Sequence, residues 1–297
     1  MTNQKPDLKL LLCLVVVGVV WGTTYLGIRV AVETIPPWYA TSIRQGIAAL
    51  IVLAILLYKK QLTWIGLENL KFQLIPSLLM IVVANGFTTF AEQSLPSGLT
   101  SIMSALSPVV IFILGILFGI EKPSLKGFTG IFLGFLGVVF IFRNGLGDIL
   151  DPNYKIGLLF LSIAILSWSS GTIYSKKHTH KSNNITLNLF YQFTISAITL
   201  LILAVVFTPK LNVNLWSSRS GLAVLYLAVF GSVLTFFCYH YALKRVTAVQ
   251  VSILNYVNTI IAVFLGWLLL NEVITTDFII ATALIFLGVF IINYKKK

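Results

Sequence analysis

Apolar residues run along this chain in ten stretches, at about 10–30, 38–58, 73–92, 98–119, 125–142, 156–176, 186–207, 221–242, 247–270 and 277–293. Each is close to the ~20 residues that carry an α-helix across a bilayer core. Polar residues collect in the short connections between them. Only 143–155 reads as a longer loop, with Gly145, Gly147, Asp148, Asp151 and Pro152 as breakers. The pattern predicts an all-α membrane protein of ten transmembrane helices, with no room for a soluble domain. The first run, Leu10 to Arg29, follows Lys5 and Lys9 as a signal peptide would. It is too long for a typical leader and lacks a small-residue cleavage site, so it is expected to be a retained helix.

Composition agrees with this reading. The 297 residues are 58% hydrophobic and 10% charged, against about 25% charged in a soluble domain. Too little polar surface exists to coat a water-soluble globule, so the excess must face lipid. The net charge of +12 invites a nucleic-acid reading. The basic residues form short clusters between apolar runs and no continuous face, so no nucleic-acid partner is expected. Cys13 and Cys238 both fall inside apolar runs, where a disulfide framework is implausible.

The charges also set direction. Ten helices place both termini on one side. The loops on that side hold fifteen of the 21 lysines and arginines, and the opposite loops hold five: Arg29, Arg143, Lys155, Lys210 and Arg219. The remaining one, Arg44, sits within a helix. This bias predicts cytoplasmic termini and a multi-pass protein of a bacterial-type inner membrane.

The two halves repeat. At an offset of 151, Ala91 falls on Ala242, Ser101 on Ser252, Gly115 on Gly266 and Glu121 on Glu272, and Phe135-Leu136-Gly137-Val138 recurs as Phe286-Leu287-Gly288-Val289. At a slightly smaller offset, Trp21 near Thr23 and Thr24 matches Trp168 near Ser169 and Ser170. The division is 1–145 and 146–297. Each half holds five runs, and five is odd, so the second half enters the membrane inverted. Inverted repeats characterise many secondary transporters, whose site lies near the midplane between the halves.

These residues resemble the EamA domain of the drug/metabolite transporter superfamily. The first half carries Trp21-Gly22-Thr23-Thr24-Tyr25, Pro36-Pro37, Arg44, Asn85-Gly86, Ala91-Glu92, Ser107-Pro108 and Glu121. The second carries Tyr241-Ala242-Leu243, Glu272 and Leu287-Gly288-Val289. The likeness covers nearly the whole chain. It implies a ten-helix inner-membrane carrier with a central cavity, of a kind that exports amino acids and other metabolites or exchanges small anions. Two positions depart from the pattern: Thr259 replaces the second-half proline equivalent to Pro108, and Ala281 replaces a usual glycine.

Ionisable groups inside helices are costly and usually face a protein interior or a wet cavity. Arg44 lies roughly 9 Å below the boundary at ~1.5 Å per residue. It either snorkels to the interface or partners a substrate carboxylate or Glu92. Glu92 ends the third run on the same side, as a helix-end carboxylate or a proton-coupling group. Arg29 and Glu33 are expected to anchor at the interface. His240 reads as a packing residue or a proton relay. His178 and His180 flank Thr179 in a Lys-rich loop that is expected to be solvated, and no metal or cofactor is expected.

Counting inward, neutral polar residues cluster near the midplane. Trp21, Thr24 and Tyr25 come from the first run, Asn85 and Thr88 from the third, Ser104 and Ser107 from the fourth. Trp168 comes from the sixth run, and Asn255 and Asn258 from the ninth, three apart on one face. These, with Arg44 and Glu92, are the candidate substrate-binding residues. Trp21 and Trp168 lie too deep for the interfacial belt to which Trp38 and Trp64 are assigned, as cavity walls or as core. Pro108 is expected to kink the fourth helix. Gly130 and Gly134 form a GxxxG for close contact within the bundle, or for a dimer.

The reading that follows is a secondary transporter, an exporter of amino-acid-like or other small amphiphilic metabolites. Protons are the candidate coupling ion, and the protein is a monomer or weak homodimer in the bilayer. No nucleotide-binding P-loop occurs, so ATP drive within this chain is not expected. An intramembrane enzyme is the first rival, but no HExxH or GxSxG motif is present. A receptor or scaffold is the second.

Overall fold

The computed structural model describes residues 7–95, 97–141, 152–179, 184–208, 212–270 and 276–293. Ten helices and two short 3-10 turns, Pro152–Tyr154 and Val213–Leu215, account for the regular structure of these residues. They are α1 (Leu8–Ala31), α2 (Pro37–Tyr58), α3 (Gly66–Ala91), α4 in two segments (Ser97–Ser104 and Ser107–Leu117) and α5 (Leu125–Ile141). The second half supplies α6 (Lys155–Lys177), α7 (Ile185–Phe207), α8 (Ser218–Leu243), α9 in two segments (Ala248–Ser252 and Leu254–Leu270) and α10 (Thr276–Asn293). Six of them, α1, α2, α3, α6, α7 and α8, are continuous and apolar enough to cross a bilayer unbroken.

Local chemistry sets where the helices start. Asp7 accepts from the Leu10 amide, Asn184 from Leu187 and Ser217 from Ser220. Pro37 opens α2, where its missing N–H costs nothing. Thr247 and Gln250 form a capping box on α9. Large apolar side chains such as Leu50, Phe128, Leu201 and Phe286 point outward, as a lipid-facing surface requires.

The helices pair in a pattern that is unchanged when the halves are exchanged. α2 packs on α7, and α5 on α10. α1 lies against α8 and α9, and α6 lies against α3 and α4. The GxxxG works within the bundle: a Cβ on Gly130 would sit 2.8 Å from the Gly288 carbonyl of α10, and one on Gly134 would strike Tyr256 of α9. Gly137 approaches the Ala281 carbonyl in the same way, at 2.8 Å.

Four features differ from expectation. α4 does not kink at Pro108; it breaks at Ala105–Leu106, and Pro108 occupies the first turn of the new segment, where its lack of N–H is harmless. α9 breaks as well, at Ile253, without a proline. α3 and α8 each contain a π-helical stretch, Ser77–Asn85 and Leu227–Leu234, at equivalent depths. Wider π turns release carbonyls from the regular ladder and recur at functional sites. Trp38 is also not interfacial. It is 7% exposed and packed on Phe87, Phe90 and Phe207, whereas Trp64 is 66% exposed.

Candidate substrate site

A cavity of about 100 Å³ opens between α1, α2, α3, α4, α6 and α9. Its lining contains Trp21, Thr24, Tyr25, Arg44, Asn85, Thr88, Ser104, Ser107, Trp168, Asn255 and Asn258. Those are all of the sequence-predicted residues but one. Ile28, Ala84, Ala164 and Ile165 complete the wall. They are apolar residues in apolar runs, and nothing in the sequence marks them.

Arg44 is the only charged residue on this wall among the described residues. It is 4% exposed, so it does not snorkel to the interface. Its Nε donates to Ser232 Oγ at 2.9 Å and a terminal nitrogen donates to the Gly231 carbonyl at 3.0 Å. Among the described residues no carboxylate pairs with it. Both acceptors lie in the π stretch of α8, and the Gly231 carbonyl also accepts from Trp21 Nε1 at 3.3 Å and Thr235 Oγ1 at 2.7 Å. Gly231 has to be small, because a Cβ there would lie 3.2 Å from the Arg44 guanidinium and 3.0 Å from Thr24. Neither Ser232 nor Gly231 was legible as a site residue, since the π geometry that exposes them leaves no sequence signature.

Glu92 is the exception. It is 0% exposed just past the end of α3, is not on the cavity wall, and pairs with neither Arg44 nor any other donor: both carboxyl oxygens are buried without a hydrogen bond. The pairing of Arg44 with Glu92 considered from their common side is therefore not formed. Arg44 turns instead to α8. Arg29, 63 positions away, donates to the Glu92 backbone carbonyl at 2.7 Å, and the Tyr25 phenol, which engages Ser104, lies in the field of Glu92. Glu33 does meet a charge at the surface, Arg219 at 4.0 Å.

Aromatic rings close one end of the cavity. Trp21 meets Trp168 edge-on at 5.1 Å, and both contact Tyr239, at 5.2 and 5.4 Å. Phe236 joins them at 5.9 Å from each indole. The Tyr239 hydroxyl is tied to Thr172 Oγ1 at 2.6 Å. Phe236 and Tyr239 were missed as partners of the two tryptophans, although a spacing of three puts them on one helix face. The Asn258 amide nitrogen donates to the carbonyls of Gly18 and Leu254, at 2.7 and 3.0 Å, and its oxygen lies 3.3 Å from the Asn255 side chain. Asn85 Nδ2 is buried without a partner, a donor held ready for a guest in a wall that otherwise satisfies itself.

Two inverted helical halves around a cavity walled by apolar, amide and hydroxyl side chains define a membrane carrier. A family model described as "EamA-like transporter family" matches twice, at residues 8–143 and 155–294. The chain belongs to that family. It is similar to an "Uncharacterized transporter YoaV" of Bacillus subtilis, with 27% identity over 95% of this chain and 96% of the relative. It is also similar to an "Uncharacterized inner membrane transporter YedA" of Escherichia coli, with 29% identity over 94% of this chain and 88% of the relative. A solved crystal structure superposes with a TM-score of 0.77 over 95% of each chain, at 18% identity, a likeness of fold alone. The family and these relatives are named for transport and not for an enzymatic reaction.

Proposed function

We propose that this protein is a secondary transporter that exports small metabolites carrying a carboxylate and an apolar body, of amino-acid type. The observation that carries the reading is Arg44: a buried cation without a carboxylate partner, on the wall of an otherwise neutral cavity. An unpartnered buried charge is expensive, and a substrate carboxylate offsets that cost through a two-pronged hydrogen bond. Asn85, Asn255 and Asn258 bind the polar end of the substrate, and Trp21 and Trp168 cover its apolar part. The five-helix halves, 1–145 and 146–297, rock about this site to give alternating access.

Glu92 carries the coupling proton. Its carboxyl has no hydrogen-bond donor, so an ionised state there is costly, while substrate rearrangement at Tyr25 and Ser104 reaches it electrostatically. The lysine-rich side, which bears both termini, faces the cytoplasm of a bacterial-type inner membrane. The working unit is a monomer or a weak homodimer. Export is the direction implied by the resemblance to metabolite exporters.

The test is uptake of a radiolabelled amino-acid mixture by proteoliposomes, together with comparison of metabolites retained by cells with and without the protein. Saturable flux that Arg44→Gln abolishes supports the reading. Absence of flux for every carboxylate-bearing compound, from protein shown to be folded, removes it.

A further inference from the structure

A second recess, of about 50 Å³, lies between the ends of α3, α6, α7 and α8 on the side where α1 starts. It shares no lining residue with the Arg44 cavity; along α6 the first set ends at Trp168, in the ring cluster with Trp21, Phe236 and Tyr239, and the second begins at Tyr174. Its lining includes Lys244, His178 and His240 with the amides of Gln73 and Gln192, and no carboxylate. The walls are held in place. Gln192 Nε2 donates to Gln73 Oε1 at 2.8 Å. His178, expected in a solvated loop, instead caps α6 with Nδ1 2.9 Å from the Tyr174 carbonyl and its ring against Phe72 and Tyr174, at 5.1 and 4.3 Å. His240 Nε2 is buried without a partner. His180 lies outside the described residues.

The repeat supplies a control for whether the fold requires this polarity. At the offsets of 151 and 147, Gln73, Pro76, Ser175 and His178 correspond to Val224, Leu227, Ile28 and Ala31. Those four belong to one buried apolar cluster on the opposite side. His240 corresponds to Thr89, with no imidazole. Gln192, in contrast, corresponds to Gln45, itself a buried amide, so the two halves differ on the α3 and α6 walls, aliphatic in one half and bearing an amide, a hydroxyl and an imidazole in the other. Packing alone does not require that difference.

We propose that this recess is a binding site for an anionic oxygen group, a carboxylate or phosphate, reached from the side bearing the termini. The charge is one-signed, the amides supply neutral donors, and the buried His240 nitrogen faces no protein partner. Burial, and then the neighbouring Arg245, hold the Lys244 ammonium below its ordinary value; a bound anion counters both effects. The anion has two sources, a soluble metabolite or an acidic phospholipid headgroup, and both present the same chemistry. The inference is independent of the role of Arg44.

The protein is placed in nanodiscs of phosphatidylcholine and its unfolding followed by tryptophan fluorescence, with inorganic phosphate against chloride at matched ionic strength. A saturable rise of about 2–4 °C is expected. The rise should vanish in Lys244→Gln, weaken in His240→Gln, and persist in Lys244→Arg and in Arg44→Lys. In a second arm, phosphatidylglycerol replaces part of the lipid. A Lys244-dependent rise there without phosphate assigns the anion to a headgroup, and one in phosphatidylcholine assigns it to a soluble ion; either supports the site. A rise that Arg44→Lys abolishes and Lys244→Gln retains overturns the proposal, as does no Lys244-dependent change in both arms. Should Lys244→Gln fail to fold, His240→Gln decides in its place: a weakened rise supports the site, and an unchanged rise overturns it.

Discussion

Arg29 and Lys176 occupy equivalent positions in the two halves and make the same contact at opposite faces of the membrane. Arg29, near the end of α1, donates to the carbonyls of Glu92 and Leu95 at 2.7 and 3.4 Å. Lys176, near the end of α6, donates to those of Leu243 and Val246 at 2.7 and 2.6 Å. The donors differ by 147 positions and both acceptor pairs by 151, the two offsets of the repeat. Each cation satisfies carbonyls that the end of α3 or α8 leaves orphaned. On the Lys176 side a second strap adds to it: Glu121 Oε1 accepts from the amides of Ala248 and Val249, which ties the first half to the start of α9. Its repeat mate, Glu272, lies outside the described residues.

Charge-assisted hydrogen bonds of this kind contribute about 1.5–3 kcal/mol each, enough to bias which end of the cavity opens. With Cys13 and Cys238 replaced by serine and a reporter cysteine at Ser107, Lys176→Met should raise labelling by an impermeant thiol reagent from the termini side. Arg29→Met should raise it from the other side. Equal labelling from both sides in both variants would leave these contacts as structural caps.

Sidedness has its own test. Lys122 and Lys155 are both exposed, at the termini side and the opposite side respectively. Single cysteines there should react with impermeant reagent from the cytoplasm at Lys122 and only from outside at Lys155. A Lys155→Cys that labels from the cytoplasm contradicts the charge-derived orientation.

Much of this was legible in the chain because membrane burial writes itself in runs and repeats. The ten runs match ten helices, and midplane counting brought Trp21, Asn85, Trp168, Asn255 and Asn258 to one wall. What escaped is what periodicity does not encode. The π stretches in α3 and α8 look like ordinary apolar helix, so the Gly231 carbonyl and Ser232 were invisible as the anchor of Arg44. The break in α9 at Ile253 carries no proline. Arg29 looked like an interfacial anchor, because a helix-capping contact 63 residues distant leaves no mark at either position.

Close packing gives a sharp stability contrast between two glycines. A Cβ at Gly130 would fall 2.4 Å from Ile292 Cγ1 and 2.8 Å from the Gly288 oxygen, so Gly130→Val forces α5 from α10. Overpacking of this kind costs about 1–3 kcal/mol. Gly46, inside α2, has nothing within 4 Å of its would-be Cβ, and Gly46→Ala gains up to about 1 kcal/mol of helix propensity. Thermal unfolding in detergent should therefore move down for the first and up for the second. A Gly130→Val protein as stable as the parent would place the α5–α10 contact elsewhere.

The last prediction separates Arg44 from Glu92, which lie near one side of the membrane yet do not pair. Arg44 is satisfied in part by Ser232 and Gly231, whereas Glu92 has no hydrogen bond to either oxygen. Their substitutions should then behave oppositely. Arg44→Lys keeps the charge but loses the planar fork that reaches two acceptors on α8 and a carboxylate at once; it should raise the KM for substrate or abolish flux, and lower stability by about 1–2 kcal/mol for the lost hydrogen bonds. Glu92→Gln removes a buried carboxylate that has no hydrogen bond and only the field of Arg29 to offset its burial, so its stability should equal or exceed that of the parent. Substrate should still bind to Glu92→Gln, because the residue is off the cavity wall, but a pH gradient should no longer drive flux. Binding affinity, unfolding temperature and gradient-driven uptake measured on both variants give three independent readouts. Gradient-driven uptake at the parental rate in Glu92→Gln would end the coupling role, and unchanged substrate affinity in Arg44→Lys would end the carboxylate role of Arg44.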